Sequence, residues 1–219
     1  MNTETLDQPI VADVAVSAPA VVIESATPAV AAVAEGPNPF IALGLDGALV
    51  RAVSDLGYTQ PTEVQAKVIP LAMGSGKADE ASIDLMVSSQ TGSGKTAAFL
   101  LPVLNTLIAQ KAIEAAAEQA EFERQRAQAA ASGEAAPKRA KRKNPMQSRN
   151  FKAAVPGALV LCPTRELAQQ VAQDAIELVK HCKNLRVANV VGGMPYQLQI
   201  AKLQNADLVV ATPGRLLDL

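Results

Sequence analysis

Four short runs of almost wholly apolar residues constrain the fold of this chain more than any other feature. They are SIDLMVSS (82–89), ALVLC (158–162), RVANVV (186–191) and DLVVA (207–211). Apolar runs of this length are typical of strands buried on both faces. A turn signal and a helix-compatible segment follow each run, so the sequence predicts an α/β domain with a parallel sheet and helices on both faces. Ligands of such sheets bind where strands end and helices begin.

A glycine-rich loop after the first run is the strongest indication of chemistry. Residues 89–96 read SQTGSGKT and precede AAFLLPVLNTLIAQ, a plausible helix. This order is that of a phosphate-binding loop, in which Gly92 and Gly94 let backbone N–H groups turn toward phosphate oxygens. Lys95 is expected to reach the β and γ phosphates of a nucleotide, and the Thr96 hydroxyl to ligate Mg²⁺. The general pattern has glycine where Ser89 stands, and a small residue still fits.

A second GSGK sequence serves as an internal comparison. It occupies residues 74–77, is followed by Ala78 and precedes no helical pattern. Because it lacks a hydroxyl residue after the lysine, we interpret it as a linker.

The stretch GYTQPTEVQ at 57–65 precedes an apolar helix, and Phe40 lies seventeen residues before Gly57. A glutamine amide donates and accepts hydrogen bonds, which matches the N6 and N7 edge of adenine, and an aromatic ring can cover the face of the base. The residues alone leave another interpretation open, in which Gln65 is a solvent-facing helix residue.

Polar loops follow the three later runs. They are PTRELA at 163–168, Gly192-Gly193, and TPGR at 212–215. Arginine, hydroxyl groups and exposed backbone at one edge of a sheet suit contacts to phosphodiesters, which fix position without reading base sequence. Alternatively, Thr164 and Thr212 simply cap the helices that follow them.

The remaining segments differ in composition from the rest of the chain. Residues 1–38 carry five acids and no Lys or Arg, are rich in Ala, Val and Pro, and are predicted to be a disordered acidic tail. Residues 110–150 are predicted to be an insertion, helical at first and then a flexible basic loop, since 137–149 carry six basic residues and no acid. The sequence shows no secretory signal and no uninterrupted apolar stretch of about 18 residues, so we expect no membrane association and a cytoplasmic location.

Taken together, six motifs in chain order show a family resemblance. Phe40, GYTQPTEVQ, SQTGSGKT, PTRELAQQ, VVGG and ATPGR resemble the N-terminal RecA-like domain of a DEAD-box ATP-dependent RNA helicase. The resemblance covers about 39–109 and 151–219, and implies that 39–219 form a RecA-like P-loop NTPase domain with a Q motif at about 38–66. It further implies ATP-driven unwinding or remodelling of RNA duplexes, with ATP and Mg²⁺ as cofactors and RNA as partner.

The resemblance also assigns roles residue by residue. Lys95 and Thr96 are the expected catalytic residues, and Thr96 the expected metal ligand. The residues expected to bind ATP are Phe40, Tyr58, Thr62, Gln65, Ser89, Gln90, Thr91, Gly92, Ser93, Gly94, Lys95 and Thr96. Those expected to bind the RNA backbone are Pro163, Thr164, Arg165, Glu166, Gly192, Gly193, Thr212, Pro213, Gly214 and Arg215.

One departure from the family pattern affects the expected activity. The 219 residues contain no Asp-Glu-Ala-Asp, since Asp79-Glu80-Ala81 precedes the phosphate loop and continues with Ser82. We therefore expect a domain that is incomplete at its C-terminus, a second RecA-like domain in the full-length protein, and negligible ATP hydrolysis by these residues alone. The alternative is a truncated nucleotide- or RNA-binding protein without helicase activity, which attracts RNA through 137–149.

Overall fold

The computed structural model describes residues 38–74, 84–132 and 153–219. In chain order, its elements are α1 (Pro39–Ala42), α2 (Gly47–Asp55), α3 (Glu63–Met73), α4 (Lys95–Ser132), β1 (Ala158–Leu161), α5 (Arg165–Leu178), β2 (Val187–Val190), α6 (Tyr196–Leu203), β3 (Leu208–Ala211) and α7 (Pro213–Asp218). Residues 1–37 of the predicted tail at 1–38, residues 75–77 of the predicted linker at 74–77 and the basic segment 137–149 lie outside the described residues. Asn38, the last residue of the predicted tail, is described and caps α1.

Side-chain caps fix where several helices begin. The Asn38 side chain accepts a hydrogen bond from the backbone of α1, and Asp46 does the same for α2. Thr62 begins α3 with a full capping box, and Thr164 accepts from the N–H of Leu167 in α5 at 3.2 Å. These polar side chains satisfy backbone donors that have no partner inside the helix, so these four helices start where the sequence supplies a cap.

The sheet is parallel and has β3 at its centre, with the strand order β1-β3-β2. Leu208 pairs in register with Ala158 on one side and Val187 on the other, and Ala211 pairs with Leu161 and Val190. All three strands therefore end at the same edge. The predicted parallel sheet is confirmed.

Helices cover both faces of the sheet, as predicted. Leu208 and Val210 of β3 belong to the main core, which they share with residues of α2 to α5. Val209 and Ala211 point to the opposite face and pack with Leu203 of α6 in a smaller cluster. Every residue of β3 is buried, which explains why its sequence shows no polar alternation.

The first predicted strand, 82–89, is wrong over its described part. Residues 84–89 are not assigned to a strand, and Met86 is 98% exposed, with Leu85 and Val87 both 41% exposed. A strand needs a neighbour that supplies hydrogen bonds. The three-stranded sheet formed by the described residues provides no such neighbour for this segment.

Helix α4 has two unlike halves. Its first half carries Leu100, Leu101, Leu104 and Leu107, which are buried in the main core against α3 and α5. Its second half continues through Ser132 and is mostly exposed, so the first part of the predicted insertion is an extension of this helix. By length and composition alone, α4 is the one helix in the described ranges that could cross a membrane. Its buried leucines are those of a core helix.

Asp207 joins α4 to the edge of the sheet at which the three strands begin. Its carboxylate lies 2.9 Å from the Lys111 ammonium and accepts a hydrogen bond from the backbone N–H of Arg186 at 2.9 Å. Its backbone carbonyl accepts from Gly157 and Ala158. One buried acid therefore aligns the beginnings of all three strands beneath α4.

Candidate functional site

The glycine-rich loop runs directly into α4. Gly92 has φ of 80° and Gly94 has φ of 84°, a backbone region that other residues rarely adopt. Lys95 is the first residue of the helix. The loop therefore presents backbone N–H groups at a helix N-terminus, where the helix dipole also favours a bound anion.

Lys95 folds back across the loop. Its ammonium donates to the carbonyl oxygens of Ser89 at 2.6 Å and Gln90 at 2.5 Å. The hydroxyls of Ser89 and Ser93 lie 2.5 Å apart and close the loop from the other side. Ser89 thus forms a contact that the glycine of the general pattern could not form. These two carbonyls occupy donors of Lys95 that a bound triphosphate would need.

The start of α3 braces the loop. Gln65 donates through Nε2 to the carbonyl of Gly94 at 3.3 Å and accepts through Oε1 from the N–H of Thr62 at 3.0 Å. The Thr62 hydroxyl donates to the carbonyl of Ser93 at 2.9 Å. Gln65 is buried, so the interpretation of this residue as solvent-facing is wrong. Both ends of its amide are engaged within the protein in this conformation.

A cavity of about 520 Å³ lies beside the loop. Small-molecule sites commonly have volumes of about 300 to 1,000 Å³, so the space suits a nucleotide. Thr91, Gly92, Gly94, Lys95 and Thr96 line one side of it.

The opposite side of the cavity comes from α5 and was missed by sequence reasoning. Gln170, Asp174 and Glu177 line the cavity there. Burial raises the pKa of the Asp174 carboxyl above its ordinary value, and Glu177 raises it further. The spacing of 170, 174 and 177 on one helix face could have indicated a shared surface, but only the packing of α5 beside the loop shows what that surface borders.

The two aromatic residues predicted to bind ATP differ in position. Tyr58 lines the cavity and is 42% exposed. Phe40 is fully buried among the apolar side chains of the main core. The structure therefore does not support the contact predicted between Phe40 and adenine in this conformation, because the ring has found an apolar environment away from the cavity.

Metal binding at this site depends on few protein groups. Thr96 lines the cavity, and its role as a metal ligand stays a prediction. Within residues 38–74, 84–132 and 153–219, no group of three or more His, Cys, Asp or Glu side chains could hold an ion. The donor set therefore fits an ion that is held mainly by phosphate oxygens and water, with one hydroxyl from the protein.

The three polar loops meet at one edge of the sheet, because all three strands end there. Thr164 follows β1, Gly192 follows β2 and Thr212 follows β3. Thr164 caps α5, as the alternative interpretation proposed, whereas Thr212 occupies the cap position of α7 without a side-chain hydrogen bond.

Two arginines connect these loops. A Cβ added at Gly192 would lie 3.0 to 3.2 Å from the Arg165 guanidinium, so the loop after β2 packs directly on that side chain. Arg215 of α7 donates to the side chain of Gln199 and to the carbonyl of Met194. Gln199 and Tyr196, which contacts Arg215 through its ring, were not singled out by the sequence. The edge therefore carries two guanidinium groups held by glycine, carbonyl, amide and aromatic partners.

Comparison with known proteins places these features in a family. The family model described as DEAD/DEAH box helicase matches residues 62–219. The chain is 40% identical over 181 residues to the DEAD-box ATP-dependent RNA helicase 52A of Oryza sativa subsp. japonica, which covers 82% of this chain and 24% of that protein. The chain thus spans about a quarter of that relative.

Solved structures of proteins from the same family are also similar to this chain. The crystal structure of a DEAD box protein from Methanococcus jannaschii is 32% identical, with a TM-score of 0.54 over 82% of this chain and 36% of that one. Yeast Dbp5 bound to RNA and ADP BeF3 is 25% identical, with a TM-score of 0.53 over 84% of this chain and 34% of that one.

Proposed function

Because the chain belongs to the DEAD/DEAH box helicase family, we propose that it forms the ATP-binding part and the first RNA-contacting edge of an ATP-dependent RNA helicase. The observation that carries the proposal is the loop at 89–96, which opens α4 with two left-handed glycines and a lysine beside a cavity of nucleotide size. The relatives named as ATP-dependent RNA helicases agree with this arrangement.

ATP is the expected occupant of the cavity. Its triphosphate accepts hydrogen bonds from the loop N–H groups and from Lys95, while Tyr58 offers an exposed ring beside the base. Gln65 and Thr62 hold the loop in its phosphate-binding shape through their contacts with Gly94 and Ser93. Bound Mg²⁺, with Thr96 as its protein ligand, would neutralise charge that develops on the phosphates.

ATP hydrolysis needs groups that these 219 residues do not contain. Nothing in the 219 residues supplies the Asp-Glu-Ala-Asp sequence that the resemblance leads us to expect after a later strand. Positioned charges in phosphoryl transfer are worth about 10³ to 10⁵ in rate, as with an arginine finger. We propose that the full-length protein supplies these groups and a second RecA-like domain, and that RNA unwinding belongs to the whole molecule.

RNA is the proposed partner of the edge formed by the three polar loops. Arg165 and Arg215 carry the positive charge there, and Gly192 and Gly193 allow close approach of a backbone. The yeast relative whose structure includes RNA supports this proposal. Guanidinium and backbone N–H groups bind phosphates without reading bases, so we expect affinity that depends on salt and little on sequence.

The proposal is tested by substituting the loop lysine in the full-length protein. Lys95→Ala should abolish measurable ATP affinity and RNA-stimulated ATP hydrolysis, because no other cation in the loop can replace it at the phosphates. Lys77→Ala is the matched control, since it changes the lysine of the other GSGK sequence. Equal effects of the two substitutions, or RNA unwinding that persists without ATP, would contradict the proposal.

A further inference from the structure

Gln199 is a fully buried polar residue that the motifs do not include. It lies on α6 and is 0% exposed. Its Nε2 donates to the carbonyl of Val191 at 2.7 Å, and its Oε1 accepts from Nε of Arg215 at 3.0 Å. A buried amide is costly unless both ends are paired, so its position is fixed by these two contacts.

The contact at Val191 ties Gln199 to the loop after β2. Val191 directly precedes Gly192, whose backbone packs on the Arg165 guanidinium. The contact at Arg215 ties the same amide to α7, after β3. One side chain therefore links two of the three polar loops and reaches the third through Gly192.

Arg215 is held from three directions. Its Nε bonds to Gln199, its Nη2 donates to the carbonyl of Met194, and its Cζ lies 3.7 Å from the centre of the Tyr196 ring. Among the residues that the structure describes, its Nη1 has no hydrogen-bond partner. This arrangement leaves one NH₂ group of an otherwise anchored guanidinium available to an incoming anion.

We propose that Gln199 and Tyr196 are positioning residues that hold the Arg215 guanidinium ready to donate to a phosphodiester oxygen of the RNA backbone. This inference rests on the proposed RNA-binding function and deepens it. A free arginine loses much rotamer freedom when it binds, and a side chain already fixed by its neighbours loses less. Gln199 and Tyr196 thus lower the cost of RNA binding without touching RNA.

The decisive experiment is a double-mutant cycle in the full-length protein. Gln199→Met keeps the side-chain volume and removes both hydrogen bonds. We expect the KM for RNA in ATP hydrolysis to rise about tenfold, as for loss of a hydrogen bond to a charged group, with kcat at saturating RNA and the KM for ATP unchanged. In an Arg215→Ala background, Gln199→Met should have no further effect on the KM for RNA, because its action passes through Arg215.

Gln197→Met is the matched control. Gln197 lies on the same helix but is exposed, so this substitution should leave both KM values unchanged. Tyr196→Leu provides a second route if Gln199→Met fails to fold. Tyr196 is 46% exposed, and loss of its ring should raise the KM for RNA about threefold.

The outcomes distinguish failure of the positioning role from failure of the proposed RNA-binding function. If Arg215→Ala leaves the KM for RNA unchanged, the proposed RNA contact at Arg215 is wrong. If Arg215→Ala raises the KM for RNA and Gln199→Met adds its full effect on top, Gln199 does not act through Arg215. If Gln199→Met raises the KM for ATP as much as that for RNA, its role is only to stabilise the fold. The first result overturns the RNA contact and the positioning role with it, whereas each of the last two overturns the positioning role alone.

Discussion

Replacing Gly94 with alanine tests how the nucleotide loop is held. Gly94 and Gly92 have nearly the same left-handed backbone, with φ of 84° and 80°. Their surroundings differ, since an alanine Cβ at Gly94 would lie 2.5 Å from Nε2 of Gln65 and 3.2 Å from the Thr62 hydroxyl. At Gly92, no atom lies within 4 Å of the added Cβ. Gly92→Ala is therefore a control for backbone strain alone.

The two variants should differ in ATP affinity, because only the alanine at position 94 overlaps Gln65. Left-handed backbone costs an alanine about 1 to 2 kcal/mol, and the free loop of Gly92→Ala escapes this cost by leaving the conformation. ATP binding must then restore the left-handed backbone, so the affinity for ATP should fall about tenfold. Gly94→Ala has the same backbone strain. It also displaces the buried amide of Gln65, which forms two hydrogen bonds, each worth about 1 kcal/mol. Loss of both bonds should weaken ATP binding by about a further thirtyfold.

The assay is a calorimetric titration of the full-length protein with ATP. It is carried out for each single variant and for the double variant that combines Gly94→Ala with Gln65→Ala. Since the shorter side chain at Gln65 removes the overlap, the double variant should bind ATP more tightly than the product of the two single effects predicts. Equal affinities of Gly94→Ala and Gly92→Ala would refute the conclusion that Gln65 braces the loop.

Three further predictions concern stability. Asp207→Ala should lower the free energy of unfolding by about 2 to 3 kcal/mol, measured by denaturant titration, because it breaks the contact with Lys111 and leaves a backbone N–H unpaired. Leu104→Ala should cost about 3 kcal/mol in the same assay, whereas Ile113→Ala on the exposed half of the helix should cost less than about 0.5 kcal/mol. The pKa of Asp174 is raised by burial, so its carboxyl favours the folded state at low pH and this contribution is lost as pH rises above the ordinary value of 3.8. Asp174→Asn should make the stability less dependent on pH, as measured by thermal unfolding at a series of pH values from below 3.8 upward.

The motifs predicted much of the site because their chemistry is local. Gly92 and Gly94 adopt the left-handed backbone that the loop requires, and Lys95 follows as the first helical residue. The three polar loops share one edge because parallel strands end together, which the apolar runs already implied.

The features that sequence reasoning missed depend on contacts between distant segments. Phe40 is buried because the core formed by other helices encloses it, and Gln65 is buried because Gly94, twenty-nine residues later, accepts its hydrogen bond. Asp174 borders the cavity only because α5 packs beside the phosphate loop.

The sequence by itself determined the phosphate loop, the order of its motifs and the parallel sheet, since glycine conformation, helix caps and apolar runs act within a few residues. Only the tertiary structure decided that 84–89 form no strand with the part of the chain that the structure describes, because a strand forms only beside a neighbour that supplies hydrogen bonds. It likewise decided that Gln199 holds Arg215, because a buried amide must pair both of its ends with whatever the fold brings near.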